Sequence, residues 1–203
     1  ATIYDDGTNG SIDDTPTVSV DDISVAEGSD ASFNVVLAVA AAAPVTVNLA
    51  LANGTAETTD YGATMNASYT DASGATQTLT VDAAGNVVVP AGVTDLTVSV
   101  TTDDDSVFEG PETFTLTATT ATGTDAGTAT IYDDGTNGSI DDTPTVSVDD
   151  ISVAEGSDAS FNVVLAAAAD VPVTVNLALT DGSADTTDYS SAMSVTYTDA
   201  TGT

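Results

Sequence analysis

Apolar and polar residues alternate along most of this chain. In SFNVVLA (32–38), VTVNLAL (45–51), LTVSVTT (96–102), TFTLTAT (113–119) and TATIYDD (128–134), nearly every second position is Val, Leu, Ile, Phe or Ala. A period of two turns one face of each segment to a core and the other to water, which is the pattern of a half-buried strand. TVSVDDISV (17–25) supplies a first strand, and weaker patterns lie at 66–70, 76–81 and 86–89. Gly, Asn, Asp and Pro punctuate the intervals. AVAAAAP (38–44) is too short for a helix and has strand patterns on both sides. Short, evenly spaced strands with turn signals between them predict an all-β sandwich.

The pattern also repeats. Residues 1–38 are identical to residues 129–166, and residues 39–75 match 167–203 at 22 of 37 positions, so the period is 128. The expected division is a last strand and linker of a preceding repeat (1–14), a complete sandwich (15–142) and the N-terminal part of the next repeat (143–203). The stretch from Tyr61 to Pro90 is long for one such unit and predicts an added hairpin over about 66–86. A chain without an initiator Met, cut out of phase with its own repeat, reads as a window from something longer.

Charge changes the picture. The chain has 32 acidic residues and no Lys, Arg or His, for a formal net charge of -32. No carboxylate has a basic side chain to pair with, so compaction works against self-repulsion unless cations neutralise it. Such a chain is not expected to bind nucleic acid or insert into a membrane. The absence of Cys excludes disulfides and leaves packing or metal to supply stability. Without His, Cys or Lys the usual nucleophile and base pairs are missing, and no enzyme activity is expected. The Asn-x-Ser/Thr sequons at Asn9, Asn53, Asn66 and Asn137 read as ordinary turn asparagines.

Strand direction then gathers the acids. If each strand reverses the one before, the turns AEGSD (26–30), NGTAETTDY (53–61), DDDSVFEGPE (103–112) and DDGTNGSIDD (133–142) share one pole. All five glutamates, at 27, 57, 109, 112 and 155, fall in such turns. Asp71, Asp82, Asp95 and Asp125 are isolated and read as turn formers. Convergent carboxylates without a base either protonate or bind a hard cation, and an all-oxygen donor set suits Ca2+. DDGTNGSID (133–141) copies the first nine positions of an EF-hand loop. However, it has Gly135 at the third position, Pro144 in place of the terminal Glu and no flanking helix. A calcium held by Asp141 or Asp142 at the junction between repeats is the expectation that survives from it.

VAEG (25–28), GTAETTDY (54–61), VVPAGVTDLTVSV (88–100), DDDSVFEGPETFTL (103–116) and TATIYDDG (128–135) together resemble a Calx-beta domain over nearly a whole repeat. The resemblance implies an immunoglobulin-like sandwich with calcium bound in the loops of one pole. Residue by residue it implicates Glu27, Asp60, Asp103, Asp104, Asp105, Glu109, Glu112, Asp133 and Asp134. Ser106 is an extra residue in that pattern and leaves open which of Asp103, Asp104 and Asp105 coordinates. Asp5 and Asp6 of the leading fragment and Glu155 and Asp188 of the second copy are the corresponding acids elsewhere. The array resembles the extender region of giant RTX-type bacterial adhesins, which implies a calcium-rigidified spacer at an extracellular or cell-surface location. Its partners would be neighbouring repeats, with other copies in a fibre as a further possibility. The alternatives are a calcium-dependent glycan- or protein-binding module, or a filament subunit that assembles through sheet edges.

Overall fold

A computed structural model describes residues 14–133, 135 and 141–197. Contacts divide the chain into two compact units, Ala1–Val173 and Thr174–Thr203. The first unit holds ten strands that form a sandwich: β1 (Val18–Val20), β2 (Ile23–Ala26), β3 (Asp30–Leu37), β4 (Val45–Asn53), β5 (Asn66–Thr70), β6 (Thr76–Leu79), β7 (Asn86–Val89), β8 (Asp95–Thr101), β9 (Glu112–Thr119) and β10 (Thr124–Tyr132). One sheet has the order β1-β3-β8-β5-β6 and the other β2-β10-β9-β4-β7. All neighbours are antiparallel except β2 and β10, which run parallel. Every strand after β2 therefore reverses its predecessor, as the pole assignment requires.

The inner faces carry the alternating residues. Phe33, Val35 and Leu37 of β3, Val98 and Val100 of β8, Val47 and Leu49 of β4, and Phe114 and Leu116 of β9 are all buried. Phe33 and Phe114 meet edge to face at 5.8 Å and 76°, and Tyr61 stacks on Phe114 at 4.1 Å. Aromatic pairs in these geometries add to the burial of their area.

The segment 17–25, expected as one strand, is two. Val18 and Val20 point inward at even positions, but past Asp21–Asp22 the inward phase moves by one residue to the partly buried Ile23 and the buried Val25. A one-residue phase slip turns a strand over. Here it passes the chain from one sheet to the other at Asp21–Asp22. The crossing is pinned by carboxylates: Asp125 Oδ2 accepts from the Val20 N–H at 2.9 Å, and Asp22 Oδ1 accepts from the Thr128 N–H at 2.7 Å. β5 and β6 pair as a hairpin, with Ala67 opposite Leu79. The chain then crosses to β7, which pairs with β4. Two matched turns carry this excursion. Asp71 Oδ1 accepts from the Ser73 and Ala75 N–H groups, and Asp82 Oδ1 from those of Ala84 and Asn86.

The second copy is a different case. Within the first unit, β11 (Val146–Val148) pairs antiparallel with β12 (Val163–Leu165), repeating the β1–β3 pairing. The remaining expected strands of this copy do not form within 149–197 among the described residues. Phe33 is 0% exposed, whereas its sequence twin Phe161 is 51% exposed. In the first copy Phe33 lies opposite Val98 of β8 and meets Phe114 of β9. In the second unit, Asp185 and Asp188 close a turn in which the Asp185 N–H donates to Asp188 Oδ2 at 3.1 Å.

Candidate metal centre

One pole of the sandwich gathers acids from four turns, each held by its own device. Thr102, buried at the exit of β8, fixes the 26–29 turn. Its hydroxyl donates to the Ser29 carbonyl at 2.7 Å and accepts from the Ser29 N–H at 3.1 Å. Gly28 sits there at φ +71°, and a Cβ would lie 2.8 Å from the Cβ of Asp104. Glycine thus permits both the left-handed turn and the close approach of the aspartate run. The Asp103 N–H donates to the Asp60 carbonyl at 2.9 Å, which ties the 57–60 turn to the same exit. That turn is closed on itself, with Asp60 Oδ2 accepting from the Glu57 N–H at 2.6 Å. Tyr61 anchors it beneath, stacked on Phe114 and donating its hydroxyl proton to Asn53 Oδ1 at 2.6 Å.

Two carboxylate groups result. Glu27, Asp104 and Asp142 form one, and Asp60, Glu109 and Glu112 the other, with a carboxylate oxygen of each residue within 4.8 Å of the others in its group. Asp133 joins them. It is buried, its Oδ2 accepts from the Glu109 N–H at 2.8 Å, and its Oδ1 has no hydrogen-bond partner. A buried carboxylate oxygen without a donor is costly unless a cation satisfies it.

The electrostatics agree. Burial, the Asp133 charge and a hydrogen bond to Asp133 push the Glu27 carboxyl up to about 8. Burial, then the neighbouring Asp60, then Glu109 and Glu57, push Glu112 up to about 7. Glu109 is raised by burial and by Asp60, Asp105, Asp170 and Asp133. Asp133 is raised by burial and by Asp142, with the Glu109 N–H acting in the opposite direction. Near neutrality, without a cation, this pole resists full ionisation. Oxygen-only donors from several turns, with one orphaned oxygen among them, fit Ca2+ and give softer metals no sulfur or nitrogen.

The anticipated residues divide as follows. Glu27, Asp60, Asp104, Glu109, Glu112 and Asp133 are brought together. Asp105 turns its Oδ1 to the Val107 N–H at 2.6 Å and contributes its charge to Glu27 and Glu109. Asp103 contributes its backbone and is exposed. At the junction Asp142 enters a cluster, while Asp141 caps its own turn by accepting from the Thr143 N–H at 3.1 Å. Asp5, Asp6 and Asp134 lie outside the described residues, as does most of the 133–141 loop. Glu155 and Asp188 are exposed and belong to neither carboxylate group. Sequence reasoning missed Thr102 and Asp170. The signals were a polar Thr102 on the inward phase of Leu96, Val98 and Val100, and an Asp170 where the first copy has Ala42.

A sandwich of two five-stranded sheets with a carboxylate pole and no basic residue defines an immunoglobulin-like module of the calcium-binding type. The chain belongs to the Calx-beta domain family, whose model matches residues 12–135 and 139–197. Solved structures with a similar fold include CBD12 from CALX1.2 (19% identity, TM-score 0.43, covering 58% of this chain and 45% of that one). The apo form of the Calx CBD1 domain is similar at 17% identity and TM-score 0.41, covering 57% of this chain and 96% of that one. The Calx CBD2 domain follows at 11% and 0.40, covering 58% and 88%. The chain thus spans less than half the length of the CBD12 structure. Among curated proteins none matches this chain by sequence.

Proposed function

We propose that this chain is a calcium-rigidified spacer from a giant secreted repeat protein of the bacterial cell surface, resembling the extender of RTX-type adhesins. The observation that carries the reading is Asp133: a buried carboxylate with an orphaned oxygen, beside Glu27, Asp104 and Asp142 in a chain that has no cationic side chain. Asp142 belongs to the segment leading into the second copy. Calcium at this pole would therefore neutralise the end of one sandwich together with the start of the next, turning a repelling hinge into a strut. Glu27, Asp104, Asp133 and Asp142 would hold one ion, and Asp60, Glu109 and Glu112 a second. Affinity of about 10⁻⁴–10⁻³ M is expected of extracellular calcium modules. Near-identical repeats suit a spacer, which needs length rather than distinct surfaces.

A ligand-reading pole would offer exposed aromatics. Of the two aromatics in the pole turns, Tyr61 is buried under the turn it anchors and Phe108 is half-buried, which favours the spacer over the binding module. The test is a calcium titration on two adjacent complete repeats, followed by melting and small-angle scattering. Calcium should raise the melting temperature and lengthen the particle. If chelation changes neither, the strut is wrong.

A further inference from the structure

We infer that residues 169–171, at the start of the second copy, form a calcium-gated clasp on the 108–110 loop of the first sandwich. The proposal deepens, and rests on, the reading of the pole as a calcium site. Phe108 and Ala169 form a parallel backbone bridge, and the Asp170 N–H donates to the Phe108 carbonyl at 3.0 Å. Gly110 leaves room for the next residue, since a Cβ there would lie 3.3 Å from Val171 Cγ1. Ala169 and Val171 are half-buried, while Asp170 between them is exposed. Strand direction explains how the segment reaches the pole. β12 returns antiparallel to β11, so it ends beside the junction, where the Ala166 N–H donates to the Thr145 carbonyl at 2.9 Å.

The two copies diverge at this contact. Residues 166–172 read AAAADVP where the first copy has AVAAAAP, so two of the three differences, Ala42 to Asp170 and Ala43 to Val171, fall within the clasp. In the first copy the same loop serves its own sandwich, with the Ala41 carbonyl accepting from the Gly92 N–H at 2.9 Å. The valine adds apolar contact to the docked segment. The aspartate adds a negative charge beside Glu109, in a region that already contains Asp60, Asp105 and Asp133. A backbone pairing that imports a like charge opposes itself until a cation neutralises the pole. Asp170 therefore makes closure depend on calcium, and by linkage closure tightens calcium by the same factor.

The experiment uses the 203-residue chain, with amide hydrogen exchange read by NMR in calcium and after chelation, and calorimetric calcium titration. In the wild type, exchange at the Asp170 amide should quicken at least about tenfold on chelation. Asp170→Asn keeps the N–H and removes the charge. Its amide at position 170 should stay protected after chelation, and its calcium affinity should fall by about three- to tenfold. Equal exchange at Asp170 with and without calcium, or unaltered affinity in Asp170→Asn, would overturn the clasp. The amides of Glu27 and Asp103 separate the two levels. If they respond to calcium and Asp170 does not, the clasp alone fails; if none responds, the clasp fails together with the calcium pole.

Discussion

Asp133 concentrates the physics of the pole in one side chain. One of its oxygens accepts from a backbone N–H, and the buried other one has only the neighbouring carboxyls of Glu27 and Asp142 beside it. Asp133→Asn should lower calcium affinity by at least about tenfold in calorimetry, because a charged ligand is lost from a small donor set. The same change should raise the melting temperature of the calcium-free protein, since a buried, repelled charge disappears. Wild-type behaviour in both measurements would move the site away from Asp133. The raised carboxyls of Glu27 and Glu112 also set a pH dependence. Groups with folded values of about 8 and 7, against an ordinary value of 4.5, bind more protons folded than unfolded between those limits. Their stabilising contribution is complete below about pH 4.5 and is lost as pH rises through 7 to 8. Calcium-free protein should accordingly melt higher at pH 5 than at pH 8. In saturating calcium the trend should flatten or reverse, because binding requires the ionised forms.

At the scale of elements, sequence pattern and structure can be compared strand by strand. Period-two alternation located β3, β4, β8 and β9 within about two residues at each end, because each has one face on the core. The break between β1 and β2 was visible as the phase slip around Asp21–Asp22, yet a run of strand-forming residues hid it. The turn anchors were not legible. Thr102 continues the inward phase of Leu96, Val98 and Val100, but the sequence does not show that it holds the 26–29 turn through hydrogen bonds to both backbone groups of Ser29. Thr102→Val, which keeps the shape and removes the hydroxyl, should destabilise the sandwich by about 1–3 kcal/mol in denaturant unfolding. It should also weaken calcium by loosening Glu27. Gly28→Ala meets a second obstacle, the left-handed backbone together with the Cβ of Asp104. A loss of about 1–2 kcal/mol is expected there, with Asp104 displaced. Full stability in Gly28→Ala would show that the turn can flatten without cost.

For the whole molecule, the acids were legible as a pole because strand reversal fixes which turns lie together, whatever the details of packing. The choice of Asp142 over Asp141 was not, since it depends on the path of one turn. If the pole stiffens the junction, chelation should shorten the maximum dimension of two linked complete repeats without unfolding either sandwich. High monovalent salt should reproduce little of the effect of calcium, because screening weakens exposed repulsion but cannot occupy an orphaned, buried oxygen.

The twin residues Phe33 and Phe161 have a kinetic consequence. Two identical stretches, 17–38 and 145–166, lie in one chain, and β8 is the strand that covers the first of them. While the chain is unfolded, β8 meets two equivalent partners and no side chain tells them apart. Closure also waits for β10, since among the described residues β2 pairs only with that last strand of its own copy. A sheet closed by its most distant segments folds slowly, and near-identical neighbours are prone to exchange strands. The divergence between the copies begins only after these stretches, as between Ala42 and Asp170, and leaves that ambiguity in place. In such an array, the order in which repeats become available for folding decides which β8 finds which β3.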